Sequence, residues 1–284
     1  MGQGVAVIGE ALVDIVVGGS EHPGGSPMNV AVGLARLGEP TVLHTRIGRD
    51  QRGDVIRTHL ADAGVRLGEA SLVDEPTWTA TAVLDADGKA QYEFALGGPI
   101  TVPVLEEIRL VHTGSIGALR AEEADAVRAA YAAADGSILR SFDPNIRADV
   151  MGEGARERVF ALAAECQVVK LSDEDADWLC PGEDPRSVLE EFAELGVGFA
   201  VVTRGGSGCL ALVDGIWHER PAIPVAVVDT IGAGDAFMSG LLFGLLRDGM
   251  VDTALSAALA SAAITVSRAG ANPPHPNELQ ALLG

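Results

Sequence analysis

The chain has 284 residues, 48% of them hydrophobic, and a formal net charge of −20 at pH 7. This length and composition allow a substantial buried core, so disorder is excluded as the default state, and the apolar runs are shorter than the roughly 20 residues of a membrane span. The acidic charge excludes nucleic acid and anionic membrane surfaces as partners, because both attract basic proteins through counterion release.

Short β-rich runs alternate with helical stretches along the chain. The first apolar run, VAVIGEALVDIVV, predicts a first strand rather than a signal peptide. Strands are then predicted at TVLHTRIG, RLVHTGS, ILRSFDPN, QVVKLS and FAVVTRG, and helices at Met28 to Leu37, near Asp54 to Ala63, at Ala121 to Ala134 and near Ala155 to Glu165. This alternation predicts an α/β fold in one domain, residues 1–284, with a mainly parallel sheet covered by helices on both faces. Loops that follow the strands should meet at one edge, where ligands usually bind.

Residues 77–96 interrupt the alternation. They form two strand-like runs, TWTATAVLD and AQYEFAL, joined by DADGK, in which Asp87-Gly88 is a strong hairpin signal. In the second run Tyr92, Phe94 and Leu96 share one face. We expect a small lid from about residues 12–22 and 76–98, through which two copies form a homodimer. An ordinary edge hairpin of the main sheet is the alternative.

The motif VVDTIGAGDAF carries the clearest chemistry. We expect a strand to end at Asp229 and the turn Gly232-Ala233-Gly234 to lead into a helix whose first turn holds Asp235. Small residues let a ligand approach the backbone, and the free N–H groups of a helix start bind anions. A carboxylate beside such an anion can accept a proton from a hydroxyl group, an arrangement that suits phosphoryl transfer. The alternative is a capping Asp on a structural turn.

Two motifs carry a resemblance to a known family. DTIGAGDAF resembles the C-terminal signature of the ribokinase-like, or PfkB, carbohydrate kinases, and GGSPMNVAVGLARLG resembles their first signature in the variant typical of fructokinases. Matches extend over almost the whole chain. The resemblance implies a ribokinase-like three-layer α/β/α sandwich with a small β lid. It also implies ATP-dependent phosphorylation of a sugar hydroxyl, with Asp235 as the base beside an anion hole.

The predicted sugar site joins the first strand, the first helix and the lid. It consists of Asp14, Gly24, Gly25, Asn29, Tyr92 and Phe94. In the family the residue matching Asp14 binds sugar hydroxyls, and an ionised carboxylate can accept two at once. Asn29 can both donate to and accept from hydroxyls. Alternatively, Asp14 is a solvated edge residue and Asn29 a capping amide.

The resemblance also implies positions for phosphate, nucleotide and cations. FDPNIR resembles the DPN-x-R stretch of fructokinases and 2-keto-3-deoxygluconate kinases, so Arg147 is a candidate for stabilising transition-state charge, with a surface Arg as the alternative. KLSDED matches the family segment N-x-x-E, but Asp175 replaces Glu, so we expect it to reach Mg²⁺ only through water. A potassium-type cation is implied at Asp229. The predicted nucleotide site consists of Lys170, Ser172, Thr203, Gly205, Gly208 and Asn272.

Other classes fit less well. No GxGxxG follows the first strand and no GxxxxGK[ST] occurs, which argues against a dinucleotide dehydrogenase and a P-loop kinase. Three cysteines at spacings that fit neither disulfides nor a zinc site predict a reducing, cytoplasmic setting. Fructose fits the motif variants GGSPMN and FDPNIR best. The lid strand QYEFAL has no Arg or Lys for an acid sugar such as 2-keto-3-deoxygluconate, which also favours a neutral sugar, although Arg147 or a residue of a partner subunit could substitute. That sugar, another sugar or a nucleoside remain alternatives, as does a sugar-responsive binding protein.

Overall fold

The computed structural model describes residues 4–16, 19–84 and 90–284. The strands are β1 (Gly4–Ile8), β2 (Leu12–Val16), β3 (Glu21–Gly24), β4 (Thr41–His44), β5 (Ile47–Gly48), β6 (Arg66–Leu67), β7 (Leu72–Val73), β8 (Thr79–Leu84), β9 (Ala90–Ala95), β10 (Ile108–Gly114), β11 (Leu139–Asp143), β12 (Val168–Ser172), β13 (Phe199–Thr203), β14 (Cys209–Val213) and β15 (Ile216–Arg220). The α-helices are α1 (Ser26–Arg36), α2 (Gln51–Asp62), α3 (Ile116–Leu119), α4 (Ala121–Ala133), α5 (Ala148–Met151), α6 (Ala155–Ala163), α7 (Asp173–Leu179), α8 (Pro185–Glu194), α9 (Ala233–Asp248), α10 (Val251–Val266) and α11 (Pro276–Leu283).

The main sheet has nine strands in the order β15-β14-β13-β12-β11-β10-β1-β4-β6. The strands that run parallel to one another are β13, β12, β11, β10, β1, β4 and β6. Strands β14 and β15 are antiparallel to their neighbours. The predicted α/β class with a mainly parallel sheet is therefore confirmed. Because the parallel strands share one direction, their carboxyl ends meet at one edge, where the candidate site lies.

Hydrophobic side chains cover both faces of this sheet. On one face Val7 packs with Leu34 of α1 and Leu241 of α9. On the other, Phe142 packs with Tyr131 of α4 among residues of α6 and α8. The interiors of β1 and β13 are apolar on both sides, which is typical of a parallel sheet buried between two helical layers. Among the described residues, no helix is both long and apolar enough to cross a membrane.

The first apolar run divides between two sheets, so its prediction as one strand is wrong. β1 lies in the main sheet, and after residues 9–11 the chain enters β2, which belongs to a four-stranded small sheet of order β3-β2-β8-β9. The predicted hairpin is confirmed as the antiparallel pair β8–β9, although its turn, Asp87-Gly88, lies outside the described residues. The hairpin pairs with β2 and not with the main sheet, which contradicts the edge-hairpin alternative.

Local signals place most helix ends within a few residues. α1 begins at Ser26, two residues before its predicted start, with Pro27 in its first turn. α2 begins after Asp50, whose side chain accepts the N–H of Gly53 as an N-cap. The strand predicted to end at Asp229 is wrong. No strand is assigned within residues 221–230, where the N–H groups of Val228 and Asp229 donate to the carbonyl of Val266 at the end of α10.

Candidate active site

The carboxylate of Asp235 lies in the first turn of α9 and is held from a second helix. The hydroxyl of Ser26 donates to its Oδ1 at 2.7 Å, and the amide of Asn29 donates to its Oδ2 at 2.8 Å. Both donors lie in the first turns of α1, which packs against α9. Each carboxylate oxygen still has an acceptor position left, so Asp235 is oriented without being saturated.

The turn before Asp235 requires glycine at two positions. Gly232 has φ +74°, and a Cβ at this position would lie 2.6 Å from Cβ of Ala271. A Cβ on Gly234 would lie 2.9 Å from Nζ of Lys170. Gly232 is the N-cap of α9, and no side chain caps the helix. The start of α9 therefore presents backbone and one ammonium group, which together suit an anion.

Lys170 forms a buried ion pair with Asp143 beneath this turn. Its Nζ lies 2.8 Å from Oδ2 of Asp143, and both side chains are almost fully buried. Burial opposes the charge on Lys170, but the carboxylates of Asp143, Asp175 and Asp235 outweigh it and raise the Lys170 pKa. Burial raises the pKa of Asp143 to about 6 against the effect of Lys170. Lys170 therefore stays protonated beside Gly234.

The sequence pattern did not identify Asp143 as a site residue. It ends β11, and Lys170 is the third of the five residues of β12, its neighbour in the main sheet. The DPN stretch contains this Asp, and the rule that parallel strands end at one edge could have placed it beside Lys170. The pairing needs the strand register, which only the structure supplies.

Asp14 lies on the small sheet, opposite the start of α1. It pairs with His22 of β3 and with Ala80 of β8, and Ala80 in turn pairs with Phe94 of β9. Directly opposed residues share a face, so Asp14 and Phe94 lie on the same side of the sheet, and Tyr92 lies two residues from Phe94 with their ring centroids 6.2 Å apart. The predicted sugar residues of the small sheet thus lie on one face.

Two glycines make room beside Asp14. A Cβ on Gly24 would lie 1.9 Å from Oδ2 of Asp14, and a Cβ on Gly25, where φ is +112°, would lie 2.6 Å from the carbonyl oxygen of Glu10. Burial raises the pKa of Asp14 to about 6, while the charge of Arg147 lowers it. Arg147 itself is exposed, and its guanidinium donates to the carbonyl of Ile146 at 2.9 Å.

Glu10 is a buried acid that the sequence pattern did not single out. Its Oε2 accepts the N–H of Gly117 at 2.8 Å, and burial raises its pKa to about 7 against this bond. Ser115 has φ +53°, and Asn145, whose carbonyl accepts the Ser115 hydroxyl at 3.3 Å, has φ +36°. Positive φ at non-glycine residues is costly and is often found at functional sites.

Ser172 and Asp175 close a reciprocal N-terminal cap on α7. The Asp175 N–H donates to the Ser172 hydroxyl at 3.0 Å, and the Ser172 N–H donates to Oδ2 of Asp175 at 3.0 Å. Oδ1 of Asp175 accepts the N–H of Ile146 at 2.8 Å. Both oxygens are thus bonded to backbone. Thr203 lies beside Ser172 in the register of β12 and β13, and its hydroxyl donates to the carbonyl of Leu171 at 3.2 Å.

Gly205 and Gly208 both lie in the turn after β13. Gly205 has φ +49°, and a Cβ there would meet nothing within 4 Å. Gly208 has φ +87°, and a Cβ would lie 2.1 Å from the carbonyl oxygen of Arg220. Gly205 therefore leaves open space at the strand edge, whereas Gly208 is required by the packing of the turn against the end of β15.

Residues 269–276, called the closing loop below, contact the glycine turn and α1. Oδ2 of Asp229 accepts the N–H of Gly270 at 2.9 Å, and its Oδ1 accepts the N–H of Ile231 at 3.0 Å. These backbone bonds lower the pKa of Asp229 and keep it ionised. The side-chain oxygen of Asn272, a residue of the predicted nucleotide site, accepts a hydrogen bond from Nη1 of Arg36.

The residues present differ in how well they suit the two expected cations. Both carboxylates accept backbone N–H groups on each oxygen, so they differ chiefly in burial. Asp229, next to the glycine turn, is ionised and only partly buried, so its chemistry fits a monovalent cation. Asp175 is buried, so it fits a direct Mg²⁺ contact poorly. Within the described ranges, no three His, Cys, Asp or Glu residues cluster as a metal site.

Comparisons with known proteins extend along the chain. A family model described as pfkB family carbohydrate kinase matches residues 6–278. The fructokinase of Klebsiella pneumoniae is 35% identical over 273 residues, which cover 87% of this chain and 85% of that protein. A solved fructokinase from Vibrio cholerae O395, in a fructose, ADP and calcium ion bound form, is 27% identical, with a TM-score of 0.84 and 99% of each chain covered. The ribokinase of Thermotoga maritima, at 22% identity and a TM-score of 0.79 over 99% of each chain, has the same fold.

Proposed function

Because the chain belongs to the pfkB family of carbohydrate kinases and is an ATP-dependent sugar kinase, we propose that fructose is the sugar it phosphorylates. The observation that carries the chemical assignment is the position of Asp235. Its carboxylate lies in the first turn of α9, directly after the glycine turn, and is oriented by Ser26 and Asn29. A hydroxyl placed between this carboxylate and a phosphate at the turn would lose its proton to Asp235.

Charge stabilisation at the turn comes from the start of α9 and from Lys170. The backbone of Gly232, Ala233 and Gly234 would face the anion, although the Ala233 N–H also donates to the carbonyl of Thr230 at 3.2 Å, and the Lys170 ammonium lies next to Gly234. Fixed donors of this kind stabilise charge that develops on the transferring phosphoryl group without reorganising during the reaction. Arg147, whose charge acts on Asp14 and Glu10, is proposed to assist from the sugar side.

Three observations support a neutral ketose. The 35% identical relative from Klebsiella pneumoniae is a fructokinase, and the Vibrio cholerae fructokinase of the same fold binds fructose. The described part of the lid strand, β9, has the sequence AQYEFA, which offers no basic side chain to an acid sugar. Asp14, with Gly24 and Gly25 beside it, offers carboxylate oxygens to sugar hydroxyls.

ATP is proposed to lie along the strand edge, next to Ser172, Thr203 and Gly205, with its adenine under the closing loop. When bound, Mg²⁺ neutralises charge on the phosphate oxygens. Phosphate and water would supply most of its ligands, and Asp175 would reach it only through water. Asp229 would hold a K⁺-type cation. Solved relatives have been determined with ATP and Mg²⁺, and with ADP and potassium ion.

We also propose that the protein forms a homodimer and is cytoplasmic. Val16 and Tyr92 of the small sheet are more than half exposed, which supports its proposed use as a homodimer contact. Cys166, Cys180 and Cys209 are buried free thiols, which agrees with the predicted reducing, cytoplasmic setting.

The test is ADP release from ATP and Mg²⁺, with K⁺ present, against fructose, ribose, tagatose, glucose, 2-keto-3-deoxygluconate and adenosine. We expect a clear preference for fructose. Asp235→Ala should lower turnover by at least about 10²-fold and leave ATP binding intact. Asp62→Asn, on the exposed side of α2, is the matched control and should leave turnover unchanged. A preference for the acid sugar, or near-normal turnover of Asp235→Ala, would contradict the proposal.

A further inference from the structure

Arg36, the last residue of α1, has no role in the chemistry described so far. Its Nη1 donates to the side-chain oxygen of Asn272 and, at 2.9 Å, to the carbonyl oxygen of Pro273. Both acceptors are neutral groups of the closing loop. Burial and the nearby charge of Arg268 lower the pKa of Arg36, so the guanidinium lies in an unfavourable electrostatic environment. The hydrogen bonds from Arg36 to the closing loop stabilise the guanidinium in this position.

The same loop contacts the glycine turn on its other side. Gly270 donates its N–H to Asp229, and a Cβ on Gly232 would lie 2.6 Å from Cβ of Ala271. Four consecutive residues, 270–273, therefore contact the anion site through the first two and α1 through the last two. A shift of residues 270–273 would move the part of the closing loop that is proposed to cover the nucleotide, relative to the start of α9.

The opposite end of α1 carries the sugar site. Ser26 and Asn29 hold Asp235 from its first turns, and the helix has 11 residues, a length of about 16 Å. Gly33 fixes α1 against α9, since a Cβ there would lie 2.3 Å from Oγ of Ser239. α1 is thus a rigid element with the catalytic base at one end and the closing loop at the other.

We propose that Arg36 is a positioning residue that fixes the closing loop on α1 and thereby sets the affinity for the nucleotide. This inference rests on the proposed position of ATP, because it requires that the closing loop covers the adenine. Arg36 touches neither reacting group. Its loss should therefore weaken nucleotide binding, leaving the chemical step and the sugar site largely intact.

The test compares Arg36→Met and Arg36→Lys with the wild-type protein. Calorimetry with a non-hydrolysable ATP analogue and Mg²⁺, in the absence of sugar, should show the analogue binding at least about 10-fold more weakly to Arg36→Met, a change of about 1.4 kcal/mol. Arg36→Lys keeps one donor and should fall between the two. Turnover at saturating ATP should stay within about threefold, and fructose binding without nucleotide should not change. Arg57→Met, an exposed change on α2, is the matched control.

A double-mutant cycle tests whether Arg36 acts through Asn272. If it does, Arg36→Met combined with Asn272→Ala should lose less analogue affinity than the two single losses multiplied. Wild-type affinity in Arg36→Met would overturn the inference, and so would equal losses for the analogue and fructose with a lower melting temperature. Analogue binding does not depend on which sugar is used, so a failure of the fructose assignment would appear in the activity panel alone.

Discussion

Replacing Lys170 with Met tests two contributions separately: that of the Lys170–Asp143 pair to the stability of the fold, and that of the Lys170 charge to turnover. The pair with Asp143 is buried, and no described residue forms a hydrogen bond with the second oxygen of Asp143. Removing one member of a buried pair leaves an uncompensated charge and costs about 3–5 kcal/mol. That is a large part of the roughly 5–15 kcal/mol by which a typical domain is stable, yet the variant should remain folded at 25 °C.

The expected effect on activity comes from the ammonium beside Gly234. Two unit charges about 4 Å apart interact by up to about 4 kcal/mol at an effective dielectric of about 20. A loss of at least about 2.7 kcal/mol, or about 10²-fold in turnover, is therefore expected for Lys170→Met. The assays are urea unfolding and the coupled ADP-release assay at saturating fructose and ATP.

The double variant Lys170→Met with Asp143→Asn makes the experiment decisive. It replaces the ion pair by two neutral side chains of similar size, so much of the lost stability should return. Turnover should not return, because the positive charge is still missing. Recovery of turnover together with stability in the double variant, or turnover of Lys170→Met within about threefold of wild type, would contradict this role of Lys170.

Three further changes test the acids and the glycine turn. The folded pKa of Glu10, about 7, exceeds its ordinary 4.5, so the folded state holds the extra proton and stability falls as pH rises from 4.5 through 7. Glu10→Gln removes this loss and should gain up to about 3 kcal/mol over wild type above pH 7 in urea unfolding. The KM for fructose should rise as pH falls below about 6, where Asp14 becomes protonated and loses an acceptor, while the KM for ATP stays level. Gly232→Ala should lower kcat/KM for ATP at least about 10-fold, because its Cβ would collide with Ala271.

Each of these has its own control. Gly249 closes the other end of α9 with φ +70°, and a Cβ there would meet nothing within 4 Å, so Gly249→Ala carries the backbone strain without the collision. Equal kinetic effects of the two glycine variants would show that strain alone matters. An unchanged pH slope of stability in Glu10→Gln, or a fructose KM that is flat between pH 5 and 7, would contradict the roles assigned to those acids.

The part of the fold that local signals determine could be predicted from the sequence. A glycine turn followed by an apolar helix places Asp235 correctly, because the turn, the helix start and the acid are neighbours in the chain. The run VAVIGEALVDIVV could not be divided in advance, since both halves read as strand and only tertiary pairing assigns them to different sheets. The valines before Asp229 predict a strand, yet Val227 and Val228 are 64% and 63% exposed and no strand pairs with them in the described structure.

Within one motif the relative positions of the candidate residues follow from the sequence, whereas contacts between distant segments do not. Lys170 and Asp143 are 27 residues apart, and Arg36 and Asn272 are 236 apart. Their contacts depend on strand register and helix packing, which composition and periodicity do not determine. At Asp175 the family resemblance and the local sequence predict different roles. The resemblance predicts a metal contact, whereas the S-x-x-D pattern is typical of the helix cap that the structure contains.

Only residues 9–11 connect β1, in the main sheet, to β2, which carries Asp14 on the small sheet. Asp235, Ser26 and Asn29 belong to helices that pack on the main sheet, so the two carboxylates proposed to face the sugar lie on different parts of the molecule. The distance between them depends on how the small sheet packs on the main sheet, where Leu12, Trp78 and Ala80 share a buried cluster with main-sheet residues. A sugar long enough to contact both carboxylates would bridge the two sheets, and a shorter one would contact only one of them. Sugar selection would then depend on the reach of the substrate as well as on its hydroxyl pattern.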